Sequence, residues 1–154
     1  MSDSPREVCM QRAEAALKTM VGVRPWGGSY RDDPTVEREY KLPQQINKFP
    51  HICLLQASGS RLSNDPRDGA TQDKYVDLFH VELVVYVKRS EGISAGKAME
   101  DCNRDCKITL ASHVFTAALI NLNDFGEEYV EFYPDGTACF VLPFIAHLED
   151  FLEG

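Results

Sequence analysis

From Ile108 to Gly154 the sequence contains neither lysine nor arginine. The same stretch holds Asp124, Glu127, Glu128, Glu131, Asp135, Glu149, Asp150 and Glu153, while residues 1–107 balance 16 basic against 16 acidic side chains. The whole net charge of −8 therefore falls in the last third of the chain. Such a segment repels nucleic acid and attracts a basic partner surface, or it simply solvates surface strands; both readings stand. No apolar run approaches the ~18 residues that a membrane helix needs. The start, MSDSPREV, lacks the shape of a signal peptide. The five cysteines are odd in number and show no tight paired spacing, so free thiols in a reduced, intracellular compartment are expected.

Chemistry-bearing motifs are also missing. There is no Gly-x-Ser-x-Gly elbow and no His-x-x-x-His, and WGGSY and GISAG fit neither a Walker loop nor a dinucleotide fingerprint. Cys102 and Cys106 stand four apart, a spacing that can place two ligands on one metal, but no matching pair accompanies them and His113 is one turn too far. Core packing is the stronger reading, because a free cysteine is a small hydrophobe that buries readily. Cys53 or Cys139 pairing with His80 is conceivable in space, yet nothing in the spacing favours it. Hence no catalytic residue, no cofactor and no metal site is expected. Tyr129, Phe132 and Tyr133 lie among glutamates, which suits cross-strand packing better than base stacking. Trp26, the only tryptophan, lies in VRPWGGSYRDDP and is read either as an interface anchor or as a satellite of the core.

What is present orders the chain clearly. SPRE (Ser4 to Glu7) matches a capping box, and Cys9, Ala13, Ala16, Leu17 and Met20 recur at helical spacing, predicting a helix over 5–21. TVEREYKL (35–42) alternates as a half-exposed strand, and PHICLLQ (50–56) reads as a central one. Residues 58–73 form a hydrophilic connection rich in turn residues, of a length that is usually functional or disordered. Along 75–89, Phe79, Val81, Leu83, Val85 and Val87 share one face, with His80, Glu82, Tyr86 and Lys88 on the other. That predicts a strand of roughly 50 Å, buried on one side and wet on the other, whose far end projects and seeks a neighbouring subunit. Ser94 caps a second helical segment whose apolar stripe continues to Leu122, as one helix or two. PDG (134–136) turns a final hairpin, and Pro143 must face an edge or a bulge.

These elements predict one α+β domain over 1–154. Its mixed, mostly antiparallel sheet has about five strands, with the N-terminal helix and a second helical segment packed on one face. The order resembles the tail terminator (tail-completion) proteins of tailed bacteriophages, of the lambda type. The resemblance is carried by EVCMQRAEAALKTM, FPHICLL, YVDLFHVELVVYVKR, AGKAMEDCNRDCKITLASHVFTAAL and EYVEFYPDGTACFVLPFIAHL, taken in that order. VRPWGGSYRDDP departs from the pattern in length and composition.

The resemblance implies a non-enzymatic virion protein of the tail or neck, assembled in the host cytoplasm. Such proteins form a homo-hexameric ring that caps the tail tube, ends its polymerisation and docks the head–tail connector or head-closure protein. Genomic DNA then passes the lumen without specific binding, and no membrane is involved. Interface candidates are Trp26, Arg61, Arg67, Tyr86, Glu127, Glu128 and Glu131. In such a ring the acidic hairpin either meets a neutral or basic face of the next subunit or lines the bore as a repulsive wall.

Overall fold

In the computed structural model, residues 3–20, 33–68, 70–71, 74–111, 120–126 and 128–151 are described. The first helix, α1 (Pro5–Lys18), begins where Ser4 Oγ accepts the Glu7 amide at 3.2 Å and Pro5 supplies a helix-ready φ. Only half of the expected capping box forms, because the Glu7 carboxylate is engaged by Arg38. The second helix, α2 (Ala95–Thr109), starts likewise on Ser94, which accepts the Lys97 amide at 3.2 Å.

Among the described residues seven strands make one sheet: β1 (Thr35–Glu37), β2 (His51–Gln56), β3 (Arg61–Ser63), β4 (Lys74–Lys88), β5 (Ile120–Phe125), β6 (Tyr129–Phe132) and β7 (Thr137–Phe151). The main path runs β1-β2-β4-β7-β5, with β3 beside β4 and β6 beside β7. Only the β1–β2 pairing is parallel, so the sheet is mixed and mostly antiparallel. Both helices cover one face. Cys9, Met10, Ala13 and Leu17 of α1 and Ala98, Cys102 and Cys106 of α2 bury against Ile52, Leu54, Phe79, Leu83, Phe140 and Phe144. The expected α+β class, with helices on one side of the sheet, is what forms.

Several features depart from the sequence reading. The long strand does exist, but it does not overhang. β7 pairs with it rung for rung, from Lys74 opposite Phe151 to Lys88 opposite Thr137. Nor is its second face wet along its length: Val76, Leu78, Val84 and Tyr86 are buried there. They lie under Ile46 and Phe49 at one end and Ala70 at the other, in two smaller apolar clusters. Finally, the helical stripe does not reach Leu122. INLNDF alternates apolar and polar residues, and Ile120–Phe125 joins β7 as β5.

The first strand is shorter than TVEREYKL suggests. After Glu37 the chain turns out of the sheet, Lys41 Nζ reaches back to Glu37 at 2.8 Å, and the Lys41 carbonyl accepts the Tyr86 hydroxyl at 2.9 Å. The connection after β2 is ordered by β3 and by a single helical turn at Pro66–Asp68. Pro143 lies inside β7 at a seam. Its carbonyl accepts the Gly126 amide at 2.8 Å, on the side where β5 ends opposite Phe144 and β6 begins opposite Val141. The position that lacks an N–H thus faces the gap between two short strands and breaks no rung to β4.

Candidate functional site

The candidate interface residues fall on opposite edges of the sheet. Arg61 begins β3 and is exposed. Arg67 is also exposed, but its guanidinium is held by Asp65, with Nη2–Oδ2 at 2.7 Å. The side-chain and backbone hydrogen bonds from Arg67 hold the Asp65 carboxyl below its ordinary range. Glu128 forms an ion pair with Lys107 of α2. Glu131 on β6 accepts the Tyr133 hydroxyl at 3.2 Å. Trp26 and Glu127 lie outside the described residues. Tyr86 does not belong with the others: it is 1 % exposed and packs with Ile46, Cys53, Val84 and Cys139. Its ring faces the cover segment, not the surrounding solvent, so its role is in the core.

The surface that sequence reasoning missed is β6 itself. All four residues are exposed, with Tyr129 at 59 %, Val130 at 40 % and Phe132 at 57 %. The ladder fixes their directions. The Tyr133 amide donates to the Thr137 carbonyl at 2.8 Å, so Tyr133, Glu131 and Tyr129 turn their backbone groups to β7. By alternation, Val130 and Phe132 turn theirs outward, where no described strand lies. An edge with two free rungs and apolar side chains is a template for strand addition. No local signal marks it in the sequence, because the strand order that leaves β6 outermost beside β7 appears only in the fold.

The thiols are all buried. Burial pushes Cys9 and Cys139 each up to about 12, and raises Cys53. Cys102 is raised by its contact with Cys106 and by burial. Cys53 and Cys139 stand opposite Val84 and Tyr86, four and six residues along β4 from His80, or roughly 13 and 20 Å. No Cys–His couple is assembled from them. Among the described residues, no group of three or more His, Cys, Asp or Glu gathers as metal ligands would.

One polar contact on this face responds to pH. His51 is buried beside Glu37, with Nε2–Oε2 at 3.9 Å. Burial lowers the His51 pKa from 6.5, against an upward pull from Glu37 and a downward push from Lys41. The unfolded chain therefore binds this proton more readily than the folded one. Stability is fully present above the unfolded value of 6.5 and falls as the pH drops below it. His51→Gln is expected to flatten the stability profile below pH 6.5, as measured by urea unfolding on both sides of that value. An unchanged slope would assign the effect to another group.

With this geometry in place, known proteins supply a comparison. No family model matches the sequence, nor does any curated protein. The fold is similar to that of a chain in the virion of a native gene transfer agent particle. The two share 10% identity at a TM-score of 0.53, and the match covers 97% of this chain and 100% of that one. At that identity the likeness is one of fold.

Proposed function

We propose that this chain is a structural subunit of a tailed-phage-type virion, acting as a tail terminator. It forms a homo-hexameric ring that caps the tail tube, ends tube polymerisation and presents a docking face to the head–tail connector or head-closure protein. DNA passes the ring's lumen without specific binding. The observation that carries this reading is the likeness of fold to a virion chain over 97% of this chain and 100% of that one. The acidic last third and the free β6 edge support it, since rings are built from one-sided, heterologous contacts. The cysteines support a non-enzymatic role, because buried thiols with raised pKa values are poor nucleophiles.

The test is light scattering after size exclusion over a concentration series, with negative-stain images and added tube protein. Closed rings near six times 17.3 kDa that halt tube growth are expected. A strict monomer at every concentration, leaving tube growth unchanged, would sink the reading. Rings that bind the connector but ignore the tube would instead indicate another neck component. A cysteine reacting far faster than its fellows at neutral pH would favour a small thiol enzyme.

A further inference from the structure

We propose that β6 of one copy pairs antiparallel with β1 of the next, with Val130 opposite Val36, so that the sheet continues from subunit to subunit. The proposal rests on the ring reading for its closure, but the contact itself is argued from the two edges.

The edges lie at the same level. A transverse row of rungs runs Val36–Ile52–Val85–Phe140–Val130, and the adjacent row runs Thr35–His51–Tyr86–Cys139–Glu131. Each row thus begins on β1 and ends on β6. Both edges have backbone groups to offer. The Thr35 amide donates to the Pro50 carbonyl at 3.1 Å, so Thr35 faces β2 and Val36 turns its amide and carbonyl outward. Val130 does the same at the other end. No described strand lies outside either edge.

Direction agrees as well. β1 runs with β2, and β2, β4, β7 and β6 then alternate, so β1 and β6 are antiparallel to each other. A rotation about an axis along the strands preserves direction, and brings β6 of one copy antiparallel to β1 of its neighbour. Val36 and Val130 both belong to the rows facing the helices, so the two faces of the sheet also continue in phase.

Charge selects the register. With Val36 opposite Val130, Thr35 meets Glu131, Glu37 meets Tyr129, and Arg38 comes beside Glu128. A slip of two residues, placing Val36 opposite Phe132, would set Glu37 against Glu131. A symmetric β6–β6 pairing would bring the two acidic hairpins together, with Glu128, Glu131 and Asp135 from each and no lysine or arginine from residues 108–154. The β1 side is neutral instead: Arg38 and Lys41 balance Glu37 and Glu39, and pair with Glu7 and Glu37, so the acidic hairpin meets no net repulsion there. The contact is therefore heterologous, the kind that builds a ring where its rotation closes.

Two variants test it. Val130→Pro removes an outward N–H and leaves the β6–β7 rungs intact, as proline does on an edge strand. It is expected to abolish assembly while the melting temperature stays within a few degrees of the parent. Thr35→Cys with Glu131→Cys places two thiols directly opposite in a pair that exchanges no hydrogen bonds with each other. Mild oxidation of the double variant should give a ladder of covalent oligomers on a non-reducing gel, with either single variant remaining monomeric. Cys139 stands opposite Glu131 on β7, so every variant carries Cys139→Ala to prevent an intrachain disulfide; the other four native cysteines are buried. Rings without a ladder, or rings that survive Val130→Pro, would overturn this contact and leave the ring reading standing. A covalent dimer from Glu131→Cys alone would overturn it in favour of symmetric pairing. A parent chain that never assembles, with no ladder from the double variant, would overturn both.

Discussion

Replacing Phe140 with alanine is expected to lower stability by about 3–5 kcal/mol, and the melting temperature by roughly 10 °C. Phe140 is fully buried in the cluster between the helices and the sheet. It stands between Val85 of β4 and Val130 of β6, on the strand to which β4, β5 and β6 all bond. With neighbours on both sides fixing its backbone, the site cannot collapse to fill the void, which puts the cost at the upper end of the range. Against a typical total of about 5–15 kcal/mol, that is a large share of the fold's margin. Urea and thermal unfolding measure it. A loss under ~1 kcal/mol would mean that α2 closes onto the sheet and repairs the packing. Because β6 has no described strand partner but β7, the variant also loosens the edge that Val130 presents. It should therefore lose assembly together with stability, whereas Val130→Pro loses assembly alone. That difference separates damage to the fold from damage to the contact.

The sequence was most legible where one strong local pattern decides the outcome. Alternation over fifteen residues announced β4, and serine caps announced both helices within a residue of their observed starts. What β4 pairs with was not legible. FVLPFIAHL is apolar on both faces and interrupted by Pro143, so its period of two is hidden and its length with it. The dry second face was hidden for a different reason. His80, Glu82 and Lys88 make that side look polar, while the cover over Val84 and Tyr86 comes from Ile46 and Phe49, about forty residues away in sequence. The end of β1 was lost to the same kind of long-range event, since the Tyr86 hydroxyl draws the Lys41 carbonyl out of the strand direction. Local propensity weighs little against such a contact.

The candidate surface divides along the same line. The charge asymmetry was plain in composition, and Arg61, Glu128 and Glu131 are exposed where a turn-rich connection and an acidic hairpin put them. Which edge each residue occupies required the strand order. Tyr129 and Phe132 looked like sheet packing because aromatic residues in strands normally are. Their exposure follows from a fact of topology, that β6 is the outermost strand over the first third of β7. Tyr86 erred in the opposite sense: its position on a polar-looking face suggested exposure, and the buried hydroxyl found a backbone carbonyl instead.

Removing Arg6 is expected to cost more than removing the charge of its partner. The guanidinium grips Asp77 with two hydrogen bonds, Nε–Oδ2 at 2.5 Å and Nη2–Oδ1 at 2.7 Å. The partners differ in exposure, 39% for the Arg6 side chain against 9% for Asp77. Arg6→Leu leaves a largely buried carboxylate without its cation and also loses the guanidinium over the Phe79 ring at 5.1 Å. A loss of about 2–3 kcal/mol follows, below the 3–5 typical of a fully buried pair. Asp77→Asn keeps an acceptor, and Arg6 retains access to water, so its loss should be about 1 kcal/mol. The pair ties the first turn of α1 to β4 on the rung where Asp77 faces Leu62 of β3. The larger variant should thus raise amide exchange in β3 before it melts the rest of the sheet. Equal losses under ~0.5 kcal/mol in both variants would mark the pair as an ordinary solvated surface bridge. The docking of α1 would then rest on the apolar burial of Cys9, Met10, Ala13 and Leu17 and on the Glu7–Arg38 pair.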